Sequence, residues 1–405
     1  MPAANGMEVH TNTPFVREAR RTALELLLAN HPFECLTCER SGNCELQTLA
    51  HDLGVREVHY TGEKRSVPID DSSPSLVRDP NKCILCGRCI RMCGEVQGVH
   101  ALGYINRGWD TLVEPLFGQK LADVACVNCG QCSTVCPTGA ITEKSYVDNV
   151  WEALGDPNKF VVVQTAPATR VAVGEALGMA PGAIVTGQMV AGLRRLGFDK
   201  VFDTDFTADL TIMEEGHELL DRLKNGGALP LLTSCSPGWV KFCEHFYPEL
   251  LPHVSTCKSP QQMFGAVAKT YYADKIGVKP EDMYVVSIMP CTAKKYEAQR
   301  PEMTASGVAD VDAVLTVREL ARMFKEAGID FEGILGISTG AAVIFGASGG
   351  VMEAALRTVY EVVTGKTLEA LDFTDVRGLT GIKEAEVDLD GTKIKIAVSN
   401  SLANA

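Results

Sequence analysis

Eleven of the fifteen cysteines fall before residue 137, and most have two residues between neighbours. A disulfide framework spreads its cysteines through a small secreted fold, whereas a metal centre gathers them. At 405 residues the chain is long enough for two or three domains with cores of their own. Its N-terminus has no basic stretch followed by an apolar core, so the sequence shows no signal peptide. The clustered cysteines are therefore read as metal ligands. Cys83, Cys86, Cys89 and Cys93 form one motif, repeated 43 residues later as Cys126, Cys129, Cys132 and Cys136, with Pro137 following. This is the bacterial ferredoxin spacing, in which three cysteines wrap one cubane and the fourth reaches the neighbouring one. That rule assigns Cys83, Cys86, Cys89 and Cys136 to one [4Fe–4S] cluster, and Cys126, Cys129, Cys132 and Cys93 to another. Two runs of four cysteines argue against a pair of structural zinc sites. A further set, His31, Cys35, Cys38 and Cys44, offers one imidazole and three thiolates. Those donors suit either zinc or a third [4Fe–4S] cluster, and two ferredoxin clusters in the same chain favour iron.

The rest of the sequence sets the frame. With 51 acidic against 38 basic residues the net charge is −13, which repels nucleic acid. No run of roughly 18 apolar residues is present to span a membrane, and the expected location is cytoplasmic. An amphipathic helix is predicted over Val16–Leu28, just ahead of His31. Residues 61–80 are polar and carry Pro68, Pro74 and Pro80, as a connector would. After about residue 150, apolar runs at Phe160–Val163, Leu229–Leu232 and Tyr284–Met289 read as buried strands. Helical stretches at Leu210–Lys224, Ser259–Tyr272 and Val317–Ala327 lie among them, a pattern that predicts an α/β domain with a largely parallel sheet. Sites in such sheets form at strand ends. Two cysteine motifs, Thr233–Trp239 and Met289–Lys294, directly follow predicted strands.

Those two motifs carry a specific resemblance. Thr233-Ser-Cys235-Ser-Pro-Gly-Trp239 resembles the first active-site motif of [FeFe]-hydrogenases, T-S-C-C-P-x-W, and Met289-Pro-Cys291-Thr-Ala-Lys294-Lys-Tyr-Glu297 matches the second, M-P-C-x-x-K-x-x-E. The resemblance covers nearly the whole chain, accessory-cluster motifs included. It implies an α+β multidomain protein: a one-histidine, three-cysteine [4Fe–4S] domain over 1–77, a 2[4Fe–4S] ferredoxin-like domain over 78–150, and a C-terminally incomplete hydrogenase domain over 151–405. The last would hold the H-cluster, a [4Fe–4S] unit bridged to a two-iron unit. The reaction implied is the reversible reduction of two protons to dihydrogen, with electrons from ferredoxin or from flavin- and NAD(P)-binding subunits. Carried over by position, Cys291 is a cubane ligand, and Lys294 hydrogen-bonds an iron-bound cyanide as a compact three-donor cation can. Met289, Ala166–Pro167 and the stretch Ser259, Pro260, Gln261 line the two-iron pocket. Cys235 is the terminal proton donor, and Glu215, Ser255 and Glu218 form the relay toward it.

Without the resemblance, Glu215 and Glu218 would read as a solvated helix face, and Lys294 as a surface charge. Cys243 and Cys257 match no ligand position and read as small buried apolar residues. His217 and His245 read as helix-surface residues. The glycine-rich stretch Gly346–Gly350, followed by Val351–Arg357, lacks the Gly-Lys-Ser/Thr ending of a phosphate loop, and Gly365-Lys366-Thr367 lacks the earlier glycine, where Tyr360 stands. Ser236 departs from the family, standing where its second motif cysteine ligates the cubane. A serine oxygen is a poorer iron ligand, and if Cys235 takes over, the usual proton donor is spent. The family's third motif, E-x-M-x-C-x-x-G-C, is absent after the predicted strand Lys393–Val398, and Met1–Thr13 resembles the end of a plant-type [2Fe–2S] domain. The expectation is a fragment or one subunit of a split enzyme, which assembles its accessory clusters but evolves little hydrogen alone. Two other functions stand beside the enzyme. A pure electron carrier has no need of Cys291, Lys294 and Glu297, and the hydrogenase-like iron–sulfur assembly proteins typically lack the N-terminal motifs.

Overall fold

Strands that are apolar on consecutive residues must be covered on both faces, and this requirement shapes the C-terminal half of the chain. The computed structural model describes residues 2–334, 374–375, 382–389 and 392–399. These fall into two compact units. The first comprises Met1–Glu95, His100–Val124 and Gln131–Glu143, and the second Val96–Val99, Ala125–Gly130 and Lys144–Ala405.

In the first unit, helix α1 (Pro14–Asn30) starts on Thr13, whose hydroxyl accepts from Val16 N at 3.2 Å, with proline at the first helical position, where no N–H is needed. Helix α2 (Glu45–Asp52) follows, and Leu24 and Leu46 are buried. Strand β1 (Leu76–Arg78), the short helix α3 (Arg88–Arg91), strands β2 (Gly103–Ile105) and β3 (Leu112–Glu114), helix α4 (Gln131–Val135) and strand β4 (Ile141–Glu143) complete it. β1 pairs antiparallel with β4, and β2 with β3. Arg78 is buried between Glu114 (3.1 Å) and Asp70 (3.7 Å), so the guanidinium enters the core only with carboxylate partners.

The second unit opens with α5 (Val147–Gly155), β5 (Phe160–Thr165), α6 (Thr169–Ala176), α7 (Thr186–Leu196) and β6 (Lys200–Asp203). It continues with α8 (Asp205–Asn225), α9 (Pro237–Phe246), α10 (Pro260–Val267), α11 (Ala273–Ile276), β7 (Met283–Met289), α12 (Ala293–Ala298), β8 (Ala313–Thr316) and α13 (Val317–Glu326). Four strands form a parallel sheet in the order β6-β5-β7-β8. Alternate side chains leave the sheet on opposite faces. Val161, Val163, Val286, Ile288 and Leu315 pack with residues of α5, α7 and α13, whereas Val162, Val285, Met289 and Val314 pack with Phe264 and Ala268. Thr316 and Glu319 close a capping box at the start of α13. β9 (Thr374–Asp375), β10 (Ile382–Leu389) and β11 (Thr392–Ser399) form an antiparallel sheet in the order β11-β10-β9.

The helix predicted over Val16–Leu28 and the strand predictions at Phe160, Tyr284 and Lys393 are each found. Leu229–Leu232 differs: Pro230 has no N–H to give a ladder, and only Leu232 makes an isolated bridge, to Val254. The helix predicted over Ser259–Tyr272 is α10 continued by a π-helical turn, Ala268–Tyr272. The motifs at 346–357 and 365–367 lie outside the described residues. Among the described residues no helix is long and apolar enough to cross a membrane.

Candidate functional site

The two ferredoxin loops repeat in conformation as they do in sequence. Leu85 and Gly87 have φ values of 55° and 71°, and their counterparts Asn128 and Gly130 have 59° and 72°. Left-handed backbone at alternate positions curls a loop and turns its N–H groups inward, a concave shape that suits an anionic cluster. Leu85 N donates to Cys83 Sγ at 3.4 Å. Cys83, Cys86, Cys89 and Cys136 line one cavity in the first unit. Burial, followed by the proximity of Cys83, Cys136 and Cys86, pushes the Cys89 thiol up to about 12. Thiols gathered so closely cannot all ionise in an apolar setting unless a cation compensates them, so the donor set fits iron. Of the second ferredoxin set, Cys93 and Cys132 fall in the first unit and Cys126 and Cys129 in the second.

His31, Cys35, Cys38 and Cys44 line another cavity, of about 190 Å³. Gly139 lies against it, and a Cβ there would sit 2.7 Å from Cys38 Sγ. Burial, aided by Lys82, lowers the His31 pKa, in the direction of the neutral imidazole that a ligand must be. Glu45, next to Cys44, donates its backbone N–H to the carbonyl of Pro137, next to Cys136, at 3.1 Å.

In the second unit the carboxyl ends of β5 and β7 lie side by side, with Thr165 paired to Ile288 and Ala166 N donating to Ile288 O. Pro167 and Cys291 follow directly, where open parallel sheets build their sites. Met289 is buried beneath. The node of the pocket is Glu297, 3% exposed. Its Oε2 accepts from Lys294 Nζ at 3.0 Å, Ser259 Oγ at 2.8 Å and Gln261 Nε2 at 3.0 Å. Lys294 Nζ also donates to the carbonyl of Cys235 at 2.8 Å, which joins the two sequence motifs through one ammonium. Pro260, the first residue of α10, is held by Thr207 Oγ1 on its carbonyl at 2.8 Å. Gln261 Oε1 and both polar atoms of Gln262 are buried without a partner, the condition expected of groups that await a ligand. Cys235 and Cys291 are half-buried, and burial raises both thiols while Lys294 pulls them down. Two thiols, a fixed ammonium and unpartnered amides fit a cluster bearing small anions. Ser236 is exposed at the N-cap of α9, and its side chain makes no capping bond. Thr292, next to Cys291, donates its hydroxyl to Asn128 O at 2.7 Å, tying this site to the loop of Cys126 and Cys129.

Helix α8 presents Glu215, Glu218 and Arg222 along one face, three and four residues apart. The segment 254–257 covers that face, so neither glutamate is the solvated residue that helix periodicity alone suggests. Glu215 is 4% exposed and one of its oxygens has no partner. Burial raises its pKa, the nearby Glu218 adding to the rise against opposing hydrogen bonds from Ser234 and Ser255. At Glu218 burial pushes upward too, but hydrogen bonds from Ser255, Arg222 and the Thr256 amide outweigh it and leave the pKa lowered. Ser255 Oγ donates to Glu218 Oε2 at 2.7 Å. The two carboxyls are thus pushed apart, the inner one toward its protonated form and the outer one toward its ionised form.

Two residues of this region escape the sequence reading. Arg222 donates to Glu218 Oε1 at 2.6 Å and to the carbonyls of Ala228, Pro252, His253 and Val254 at 3.0–3.2 Å. Its place four residues after Glu218 is the signal that was available. Cys257 is half-buried, with Sγ 3.7 Å from Glu218 Oε2, and is no inert core residue. Cys243 is fully buried, as expected, and donates to the Tyr247 carbonyl. His217 and His245 are exposed on their helices, also as expected.

Comparison with known proteins finds three matching stretches. Residues 20–59 match the NADH-ubiquinone oxidoreductase-G iron-sulfur binding region, and residues 73–142 the ferredoxin-like domain of NADH-quinone oxidoreductase subunit 3. Residues 159–405 match the iron only hydrogenase large subunit, C-terminal domain. The NADP-reducing hydrogenase subunit HndD of Solidesulfovibrio fructosivorans is 56% identical over 418 aligned residues, covering 100% of this chain and 72% of that protein. Iron hydrogenase 1 of Clostridium pasteurianum is 43% identical, over 99% of this chain and 71% of that one. A single-residue variant of the apo [FeFe]-hydrogenase HydA1 from Chlamydomonas reinhardtii superposes with a TM-score of 0.59 at 44% identity, covering 64% of this chain and 76% of the other. The chain belongs to the iron-only hydrogenase large subunit family.

Proposed function

We propose that this chain carries the electron and proton path of an enzyme that interconverts dihydrogen with two protons and two electrons. The observation that carries the reading is the Glu297 node, which holds Lys294, Ser259 and Gln261 on one carboxylate and, through Lys294, the carbonyl of Cys235. An electron carrier has no use for such a pocket. The H-cluster supplies the redox and hydrogen-splitting chemistry when bound, with Cys291 among its ligands and Pro167, Pro260, Gln261 and Met289 around it. Lys294 presents a charge held in place by two acceptors, so that it meets a small anion without first giving up its orientation. Cys235 carries the proton at the inner end. Glu215 holds the next one, and Ser255 passes it to Glu218, which Arg222 keeps ionised.

Three [4Fe–4S] clusters would supply electron transfer: one held by His31, Cys35, Cys38 and Cys44, one by Cys83, Cys86, Cys89 and Cys136, and one, by the spacing of the motif, by Cys93, Cys126, Cys129 and Cys132. The name of the HndD relative supports an NADP-linked electron partner over free ferredoxin. The test is iron and zinc content together with EPR of the reduced chain. About twelve irons from the three accessory clusters, with interacting signals, is the expected result. About eight irons with one zinc would reassign the His31 site to a structural ion. In the full enzyme, Cys291→Ser abolishes hydrogen evolution, and retained activity would remove the pocket from the chemistry.

A further inference from the structure

The exit half of the proton path carries a thiol that the four-residue path from Cys235 to Glu218 leaves unused. Glu218 Oε2 accepts from Ser255 Oγ at 2.7 Å, and Cys257 Sγ stands 3.7 Å from the same oxygen. That separation is within hydrogen-bond reach for sulfur, whose bonds are longer than those of oxygen. The thiol is held there by its own backbone. Cys257 N donates to Ser255 Oγ at 3.1 Å, and Cys257 O accepts from Ser234 Oγ at 2.6 Å. The segment is further fixed by Ser255 N on Leu232 O and by the Thr256 amide on Glu218. Cys243 shows what a structural thiol does in this fold: it is fully buried in α9 and donates to a main-chain carbonyl four residues on. Cys257 instead addresses the carboxylate that receives the relayed proton.

We propose that Cys257 is a second proton-carrying link to Glu218, in parallel with the Ser255 hydroxyl. The inference rests on Glu215, Ser255 and Glu218 being the proton path, and it deepens that reading. The step balances without electron transfer. The thiol S–H bond breaks as its proton goes to Glu218 Oε2, and the sulfur takes up the next proton that Glu215 releases along the path. A thiol is a stronger acid than an alcohol, which offsets its longer and weaker hydrogen bond to the carboxylate. Cys257 touches neither substrate nor cofactor and acts through Glu218.

The experiment combines single and double variants of the full enzyme with infrared spectroscopy of the chain. S255A and C257A are each expected to lower hydrogen evolution severalfold, and S255A/C257A by about a hundredfold or more, the scale of losing positioned proton transfer. C257S, which keeps a donor, restores most of the C257A loss. The S–H stretch of Cys257, isolated as the difference between the chain and C257S, lies below that of Cys243 and moves in E218Q. If S255A alone is as slow as the double variant, or if the Cys257 band ignores E218Q, there is no parallel link. If the double variant is as fast as the parent, the proton path itself is misassigned. The spectroscopic arm needs no activity, so a loss of turnover from poor folding cannot be mistaken for loss of the link.

Discussion

Replacing Glu297 with glutamine asks whether the pocket is held by charge or by shape. One oxygen of this 3% exposed side chain accepts from Lys294, Ser259 and Gln261 at 2.8–3.0 Å. Glutamine keeps the length and one carbonyl oxygen but removes the charge, and its amide brings two donors to a place already supplied with three. Removing one partner of a buried ion pair costs about 3–5 kcal/mol when the other is stranded. Here the Lys294 side chain is 13% exposed and keeps its bond to the Cys235 carbonyl. The cost is therefore nearer that of one hydrogen bond to a charged group with some loss of pairing, about 2–3 kcal/mol. In a unit of this size that lowers the melting midpoint by roughly 4–12 °C. Thermal unfolding of E297Q, K294M and K294M/E297Q measures it. The double variant is expected to lose less than the two singles added together, because it removes the stranded cation along with its partner. Stability of E297Q within about 0.5 kcal/mol of the parent, or additive losses in the double variant, would refute the pairing.

Three further outcomes follow from other parts of the chain. Gly265→Ala should destabilise even though alanine is the better helix former by about 1 kcal/mol, because a Cβ there overlaps the Asp310 carbonyl; a rise in urea midpoint would contradict the packing. Asp205 is pushed up to about 6, first by burial and then by Asp203, against the pull of Arg170. Between about 4 and 6 the folded chain keeps a proton that the unfolded chain has released, so stability falls as pH rises through that window, by on the order of 2 kcal/mol. Asp205→Asn should flatten that slope, and unfolding midpoints at both ends of the window show whether it does. His31→Ala should lower bound iron by about four atoms per chain and leave the signals of the other clusters in place; unchanged iron with a loss of zinc would give the site to zinc.

What could be read in advance was whatever the chain states locally. Ligand spacing is a local property, and so is the continuous apolar character of β5 and β7, since a strand covered on both faces has no polar side to show. The left-handed turn at Asn128 suits its residue type, whereas Leu85 adopts the same conformation against its steric preference, because the repeat of the loop demands it. Nothing in the residues from Ala268 to Tyr272 announces a π-helical turn, for no proline or glycine interrupts them. Glu215 and Glu218 were the hardest to place. Helix periodicity gives the face on which they stand, but only the return of residues 254–257 across α8 decides that this face is covered. The same long-range fact moves Cys257 from filler to partner, and no pattern in its neighbours could have said so.

The five hydrogen bonds of Arg222 have a consequence for motion as well as for charge. The guanidinium on α8 reaches a carbonyl six residues on and three more between residues 252 and 254, so that one side chain pins shut a loop of about thirty residues. Most of the entropy of that closure is lost once, when the loop forms, and lengthening it would add little because the penalty grows only logarithmically. Cutting the clasp would hand that freedom back all at once. The strand-like return at 254–257 would then open and close as a unit, taking Ser255 and Cys257 away from Glu218 together. Amide exchange at Ser255, Thr256 and Cys257 should therefore speed up in concert when Arg222 is removed, as three readings of a single latch.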